Sequence, residues 1–125
     1  MSEWTSEELD KIGAGDELEI AAQRPDGSLR PYTTIWVVRV GDDLYVRSYR
    51  GRDGAWFRSV LTRPEGRIRA AGVERDVTFK ELGAEGHDAI DNAYRDKYAS
   101  RFASAYVDPM LTQDAAAATL RLIPR

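Results

Sequence analysis

The sequence of 125 residues contains no cysteine and only one histidine, His87. The chain therefore forms no disulfide, offers no thiolate to a metal and has no cysteine nucleophile, a composition that fits a cytoplasmic protein. One histidine is also too few for a His-His metal centre. Because His87 follows Gly86 at the start of a predicted helix, we interpret it as a capping or surface residue rather than as part of a Ser-His-Asp triad.

Long apolar runs are missing as well. No segment approaches the roughly 20 apolar residues that a membrane helix needs. The first residues, MSEWTSEELDKIG, lack the basic and apolar regions of a secretory signal. Hydrophobic residues make up 42% of the chain and charged residues 31%, which is ordinary for a soluble globular protein. The length predicts a single domain, residues 1–125, and we expect no association with membranes.

Positive charge is concentrated in one segment. The net charge is −3, yet the stretch from Arg47 to Arg75 holds eight arginines against three acidic residues. A basic segment in an acidic protein favours a local site for an anionic small molecule over nucleic-acid binding. Arginine suits this role because its planar guanidinium makes bidentate contacts with phosphate and carboxylate. The alternative, which the sequence leaves open, is a charged face that is solvated or paired with the protein's own acids.

Alternating apolar residues predict about six strands. The first strand begins at Glu17, the second runs from Thr33 to Val40 and the third from Leu44 to Ser48. The fourth and fifth form a hairpin in GRIRAAGVERDVTF, and the sixth lies in ATLRLIPR. Sequential hairpins favour an antiparallel sheet, and closing such a sheet into a barrel removes its exposed edges. We therefore expect a mainly β fold with some α-helix, in which the sheet forms a small barrel and the helices lie outside it.

Three helices are predicted around this sheet. A capping box in TSEEL, with Thr5 as the N-cap, starts a short helix that ends at one of the next glycines. The second helix has Asp53 as its predicted N-cap and ends before Pro64. The third begins near His87 and carries an apolar and aromatic stripe, for which core packing is the first interpretation, as it is for Trp36. The aromatic members of the stripe are Tyr94, Tyr98 and Phe102.

The stretch VRSYRGRDGAWFR, from Val46 to Arg58, lies between a predicted strand and a predicted helix. A helix N-terminus offers unpaired backbone N–H groups and a partial positive charge, and glycines let the backbone approach a ligand. Ser48, Arg50 and Arg52 add a hydroxyl and two guanidinium groups, so the stretch has the parts of a phosphate site. Its glycine spacing matches neither a Walker loop nor a dinucleotide fingerprint.

No metal site is expected. Asp88, Asp91 and Asp96 fall in or near the long helix, but offsets of three and five do not place all of them on one face.

The run TTIWVVRVGDDLYVRSYRGRDGAWFRSVLTRPEGRIRAAGV, from Thr33 to Val73, resembles the middle of the deazaflavin-dependent nitroreductase family. The shared pattern is a Thr-rich strand, a Gly-Asp turn, a strand ending in serine, a Gly-rich loop and an Ala-Trp-aromatic helix followed by proline. The whole chain, from WTSEELDKIGAGDELEI to TLRLIPR, is more similar still to the domain of unknown function 2255 family. Both resemblances imply a six-stranded antiparallel split β-barrel with peripheral helices, and the first implies that it is often dimeric.

The resemblance also implies a cofactor, either a flavin such as FMN or a deazaflavin, near the barrel and the dimer interface. The loop after the third strand and the following helix would hold its phosphate, and the Thr-rich strand would lie beside its ring. Carried over by position, the cofactor-binding residues are Thr33, Thr34, Ile35, Trp36, Ser48, Tyr49, Arg50, Gly51, Arg52, Trp56 and Phe57. Ile35 and Arg63 replace a proline and an asparagine of the nitroreductase pattern, and its loop lysine is missing.

Three functions fit these observations. The first is a flavin- or deazaflavin-dependent oxidoreductase, which needs no triad because the cofactor supplies the chemistry. The second is a module that holds a flavin, haem or another anionic small molecule without turnover. The third is a dimeric interaction protein whose arginines pair with its own acids. If the loop binds an anion, Arg50→Ala combined with Arg52→Ala weakens the affinity and leaves the fold intact.

Overall fold

A computed structural model describes residues 3–83, 86–99, 102 and 107–125. The helices in these ranges are α1 (Ser6–Ala14), α2 (Ala55–Thr62), α3 (His87–Tyr98) and α4 (Gln113–Ala116). The strands are β1 (Glu17–Ala22), β2 (Thr33–Trp36), β3 (Val38–Val40), β4 (Asp43–Arg47), β5 (Glu65–Ala70), β6 (Val73–Glu81) and β7 (Thr119–Pro124). Short 3-10 turns lie at Gly51–Asp53 and Asp108–Leu111. None of the helices described is long and apolar enough to cross a membrane.

These strands form one antiparallel sheet in the order β2-β1-β5-β6-β7-β4-β3. β2 and β3 lie at opposite ends of this order, although only Val37 separates them in the chain. A single run of chain thus joins the two ends, and the sheet is a nearly closed barrel. This confirms the predicted mainly β, antiparallel split barrel with peripheral helices. The predicted strand from Thr33 to Val40 is present but is interrupted at Val37, which raises the count from six to seven.

The interruption at Val37 is stabilised by side chains from the end of α3. Val37 is fully buried, so its backbone groups need partners within the protein. Its N–H donates to the Tyr98 hydroxyl at 3.2 Å, and its carbonyl accepts from Lys97 Nζ at 2.6 Å. The Tyr98 hydroxyl in turn donates to the Asp16 carbonyl at 2.6 Å. Two helical side chains therefore replace the strand pairing that the chain loses at this residue.

The apolar side chains form two clusters. The larger one fills the barrel interior and includes Phe57, Ile68 and Leu120, with Ile12 of α1 covering it. α1 begins as predicted, because the Thr5 hydroxyl and the Glu8 carboxylate cap each other's backbone N–H groups. The smaller cluster lies between the barrel and α3.

The predicted aromatic stripe of α3 lies in this smaller cluster. Tyr94 and Tyr98 are fully buried, so the core interpretation of both is confirmed, whereas Phe102 is 37% exposed. Trp36 stacks on Tyr98, with ring centroids 4.0 Å apart and planes inclined by 5°. Burial raises the pKa of both tyrosines well above the ordinary value. Trp36 thus connects the stripe to β2.

Lys97 makes stability depend on pH. Burial lowers the pKa of this amine to about 8 in the folded chain, whereas a lysine in an unfolded chain titrates near 10.4. Between these values the unfolded chain holds the extra proton, so the free energy of unfolding rises as pH rises. After allowing for solvent screening, we expect a gain of about 1 kcal/mol from about pH 7.5 to about pH 9.5 relative to Lys97→Met. Urea unfolding of the wild type and of Lys97→Met at several pH values measures this gain. If the free energies of unfolding of the two proteins change with pH in the same way, the expectation is wrong.

Candidate functional site

A cavity of about 590 Å³ lies between β2, the end of β4, the start of α2 and the turn at Asp108–Leu111. We call it the β2–α2 cavity. Eight of the eleven residues predicted to bind a cofactor line it, so the fold brings the Thr-rich strand and the loop after β4 to one place. These eight are Thr33, Thr34, Ile35, Trp36, Ser48, Tyr49, Arg50 and Trp56.

Three of the predicted residues do not line this cavity. Phe57 is fully buried in the barrel core. Gly51 packs against α4. The Arg52 guanidinium donates to the Glu81 carboxylate at 2.7 Å and to the Ala117 carbonyl at 3.1 Å. The structure therefore places Arg50 in the cavity and Arg52 outside it, although the sequence predicted that the two would bind the anion together.

Ser48 and Gly54 approach each other closely at the cavity wall. A Cβ on Gly54 would lie 2.3 Å from Ser48 Oγ, so any other residue here would displace the Ser48 hydroxyl from its present position. Ser48 is 2% exposed, and no described residue hydrogen-bonds its hydroxyl. Gly54 is also the N-cap of α2, which has no side-chain cap. The prediction that Asp53 is this N-cap was wrong, because Asp53 ends the preceding 3-10 turn. The first backbone N–H groups of α2 are thus left for another acceptor.

Arg50 lies at the exposed part of the lining. Its Nε donates to the Tyr49 hydroxyl at 3.0 Å, and this bond raises the pKa of Arg50. Its guanidinium makes no ion pair with any described residue. The cavity therefore has a permanent positive charge at its side that no carboxylate of the described chain neutralises.

Most of the arginine-rich segment is paired with the protein's own acids. Six of its eight arginines lie within 4.0 Å of a carboxylate oxygen: Arg47, Arg52, Arg63, Arg67, Arg69 and Arg75. Within the described ranges, Arg50 and Arg58 are the two that are not. The self-paired alternative accounts for most of the segment, and Arg50 is the unpaired arginine that lines the cavity.

Arg47, which sequence reasoning did not single out, also lines the cavity, although its side chain is fully buried. It forms an ion pair with Asp91 of α3, donates to the Met110 carbonyl at 3.0 Å and to the Thr119 hydroxyl at 2.9 Å. Its guanidinium also lies over the Tyr94 ring, 5.5 Å from the centroid. The signal in the sequence was its position two residues after Tyr45, on the face that α3 covers. Arg47 fixes three segments around the cavity.

His87, interpreted from the sequence as a capping or surface residue, is half-buried, provides no side-chain cap for α3 and belongs to the same group of side chains. Its Nδ1 lies 3.2 Å from Arg47 Nη2, and its Nε2 lies 2.7 Å from the Gly83 carbonyl. A guanidinium only donates, so Nδ1 accepts from Arg47 and Nε2 donates to Gly83. The imidazole therefore orients the buried arginine.

The chemistry of the β2–α2 cavity favours binding over acid–base catalysis. No carboxylate, histidine or lysine is among the described residues that line it. Instead it combines aromatic and aliphatic surface from Trp36, Trp56 and Ile35 with the hydroxyl of Ser48 and the charge of Arg50. Such a cavity suits a molecule that has a flat apolar part and an anionic group.

A family model described as an uncharacterized protein conserved in bacteria, DUF2255, matches residues 8–122. The chain belongs to the DUF2255 family. This confirms the resemblance drawn from the sequence. No curated protein matches the DUF2255 chain.

Solved structures similar to this DUF2255 protein share its fold at low sequence identity. A conserved hypothetical protein from Mycobacterium tuberculosis has a TM-score of 0.67 and 14% identity, over 99% of this chain and 82% of that one. An F420-H2 dependent reductase has a TM-score of 0.63 and 15% identity, over 86% and 93%. HutZ, the haem storage protein from Vibrio cholerae, has a TM-score of 0.63 and 13% identity, over 96% and 89%.

Proposed function

We propose that this DUF2255 protein binds a flavin such as FMN, or a deazaflavin, in the β2–α2 cavity and serves as an oxidoreductase. The observation that carries the proposal is a grouping beside an aromatic wall: an arginine without an ion pair, a serine hydroxyl without a hydrogen bond and a helix N-terminus without a side-chain cap, as far as the described residues go. The shared fold of an F420-H2 dependent reductase, which uses a deazaflavin, supports it.

The phosphate of the cofactor would bind at Ser48, Arg50 and the start of α2. Three kinds of donor converge there: the Ser48 hydroxyl, the Arg50 guanidinium and the backbone N–H groups of the first turn, at Ala55 and Trp56. Each is a recurring phosphate ligand, and bonds from charged donors are the strongest of them. Since Gly54 carries no side chain, nothing at the N-cap competes with the phosphate for the helix N–H groups.

The ring of the cofactor would bind against β2. In the described sheet β2 pairs with β1 alone, and every residue of β2 lines the cavity. Its free edge offers backbone N–H and C=O groups to the polar rim of a ring, while Ile35 and Trp36 offer apolar contact. When bound, a flavin or deazaflavin supplies hydride transfer. The chain's own residues bind it, orient it and exclude water from one of its faces.

The proposal is tested by spectroscopic titration of the purified protein with FMN and with F420. A saturable change in the cofactor's absorption or fluorescence, together with a higher Tm, is the expected result. Consumption of the reduced cofactor in the presence of an electron acceptor then establishes turnover. If neither cofactor alters the spectrum or the Tm, the proposed site is wrong.

Arg50 and Arg52 provide a matched pair of variants. Arg50→Ala removes an unpaired charge from the cavity, so we expect the cofactor's Kd to rise about tenfold or more, because a bond from a charged donor contributes about 1.5–3 kcal/mol. Arg52→Ala removes a guanidinium already held by Glu81 outside the cavity, and we expect less than a threefold change, about 0.6 kcal/mol. Equal effects of the two variants would remove Arg50 from the proposed site.

A second candidate is storage or transport of an anionic ligand such as haem without turnover, favoured by the fold shared with HutZ. The same titration with haemin separates the two candidates. Haemin binding without FMN or F420 binding supports storage. If none of the three binds, the protein is an interaction module.

We also propose that the protein is a homodimer, as the split-barrel resemblance implies. The chain mass is 14.0 kDa, so sedimentation equilibrium should give about twice that value. A concentration-independent monomer contradicts this proposal and leaves the cavity proposal to its own tests.

A further inference from the structure

A second groove, of about 710 Å³, lies between α1, β3 and α3. Lys97 lines this groove together with small or apolar side chains such as Gly13, Val38 and Ala93, and it does not line the β2–α2 cavity. We propose that Lys97 is a modification site, at which its amine attacks a small acyl phosphate in the groove and becomes acylated. This inference is independent of the proposed cofactor.

The environment of the amine favours the reactive, uncharged form. Lys97 Nζ has one hydrogen-bond acceptor among the described residues, the Val37 carbonyl, and it lies 5.1 Å from the Tyr98 ring centroid. No described carboxylate forms an ion pair with it, although Asp96 precedes it on α3 and also lines the groove. Burial without a compensating charge lowers the pKa of Lys97 to about 8. About half of the amine is therefore uncharged at pH 8 and able to act as a nucleophile.

Arg39 gives the same groove a donor for the phosphate of the reagent. Its Nη1 pairs with Asp10 of α1 at 2.8 Å, and its Nε donates to the Gly41 carbonyl at 2.8 Å. Its Nη2 has no partner among the described residues and is available to a phosphate oxygen. The charged groups lining the groove are thus Lys97, Asp96 and the pair of Arg39 with Asp10. The Nη2 donor of Arg39, in the same groove as the amine, is what favours an acyl phosphate over a neutral acyl donor.

The reaction balances without a further reagent. The Lys97 nitrogen attacks the acyl carbon, and a C–N bond forms as the C–O bond to phosphate breaks. Phosphate leaves with the electron pair, and the nitrogen gives its extra proton to water. The products are an amide on Lys97, inorganic phosphate and one proton. The charge of Lys97 is lost, and the acyl group lies in the groove beside the interruption at Val37.

The chain contains three lysines, so each modification can be assigned by peptide mass spectrometry. The protein is incubated with acetyl phosphate at several pH values, and initial acetylation rates are compared. Lys11, which pairs with Glu7, and the exposed Lys80 are internal references. A pKa about two units lower makes the free amine at pH 8 about a hundredfold more abundant, and partial burial offsets part of this. We expect Lys97 to react about fivefold faster or more at pH 8. A rate no higher than at Lys11 and Lys80 would overturn the proposal.

Two variants complete the experiment. The first tests whether the acyl donor is recognised through its phosphate, and the second tests whether Lys97 is the fast-reacting site in a folded protein. Arg39→Gln should lower the acetyl phosphate rate at Lys97 several-fold and leave the rate with acetic anhydride, a neutral donor, unchanged. If it lowers both rates equally, or neither, the acyl phosphate assignment is wrong. Lys97→Arg keeps a donor for the Val37 carbonyl, so it should still unfold cooperatively, with a lower Tm because the arginine stays charged where burial disfavours charge, and it should lose the fast-reacting site. Persistence of a fast-reacting site in this variant would also contradict the proposal.

Discussion

Gly66→Ala is expected to destabilise the barrel by about 3 kcal/mol or more. Gly66 lies on β5 opposite Ala22 of β1. A Cβ at this position would lie 2.1 Å from the Ala21 carbonyl oxygen and 2.9 Å from a ring carbon of Phe79. The first neighbour is backbone within a strand pair, so it cannot move aside without breaking the pairing of β1 with β5. The free energy of unfolding from urea titration measures the effect.

Gly83→Ala is the matched control. A Cβ at Gly83 meets no atom of the described residues within 4 Å, and the φ angle of Gly83 is not in the left-handed region. We expect a change within about 0.5 kcal/mol, as for surface substitutions away from special features. If the two alanine variants were equally stable, the close approach of β5 to β1 would not be what requires glycine at residue 66.

Arg47→Met is the second substitution with a large expected effect, a loss of about 3 kcal/mol. Removing one partner of a buried ion pair costs about 3–5 kcal/mol because the other charge is left uncompensated. The Asp91 side chain is 23% exposed, which places the expected value at the lower end. The variant also removes the donor for the Met110 carbonyl, so the cavity wall loses a contact. Thermal and urea unfolding, followed by tryptophan fluorescence, measure the loss.

Arg52→Met serves as the comparison for this variant. Arg52 and Glu81 form an ion pair whose side chains are about half exposed, and such pairs contribute about 0–1 kcal/mol. We therefore expect Arg52→Met to lower stability by less than about 1 kcal/mol. A loss at Arg47 as small as the loss at Arg52 would show that the buried arginine does not hold α3 to the barrel.

The strands were predictable because their residues alternate, as in β1 and β4, or are β-branched and aromatic, as in β2. The barrel that they close was predictable for the same reason. The interruption at Val37 was not predictable, because valine there is as β-prone as its neighbours. Its cause lies 61 residues away, in the hydroxyl of Tyr98. A local pattern does not contain a partner that only the tertiary fold provides.

The candidate site shows the same limit. The family resemblance predicted eleven cofactor-binding residues, and the fold brings eight of them to one cavity. The sequence could not tell Arg50 from Arg52, because the acid that pairs with Arg52, Glu81, lies 29 residues later on β6. Arg47 was overlooked for a similar reason, since its partners His87 and Asp91 come from α3.

The interruption at Val37 also bears on the order in which the protein exchanges its amide hydrogens with solvent. The two side chains that bind Val37 are adjacent in the last turn of α3. Fraying of that one turn exposes the Val37 amide while the long pairing of β5 with β6 stays intact. Exchange at Val37 should therefore report local opening, and exchange within β5 should report global unfolding. We therefore expect solvent to reach the barrel first at Val37.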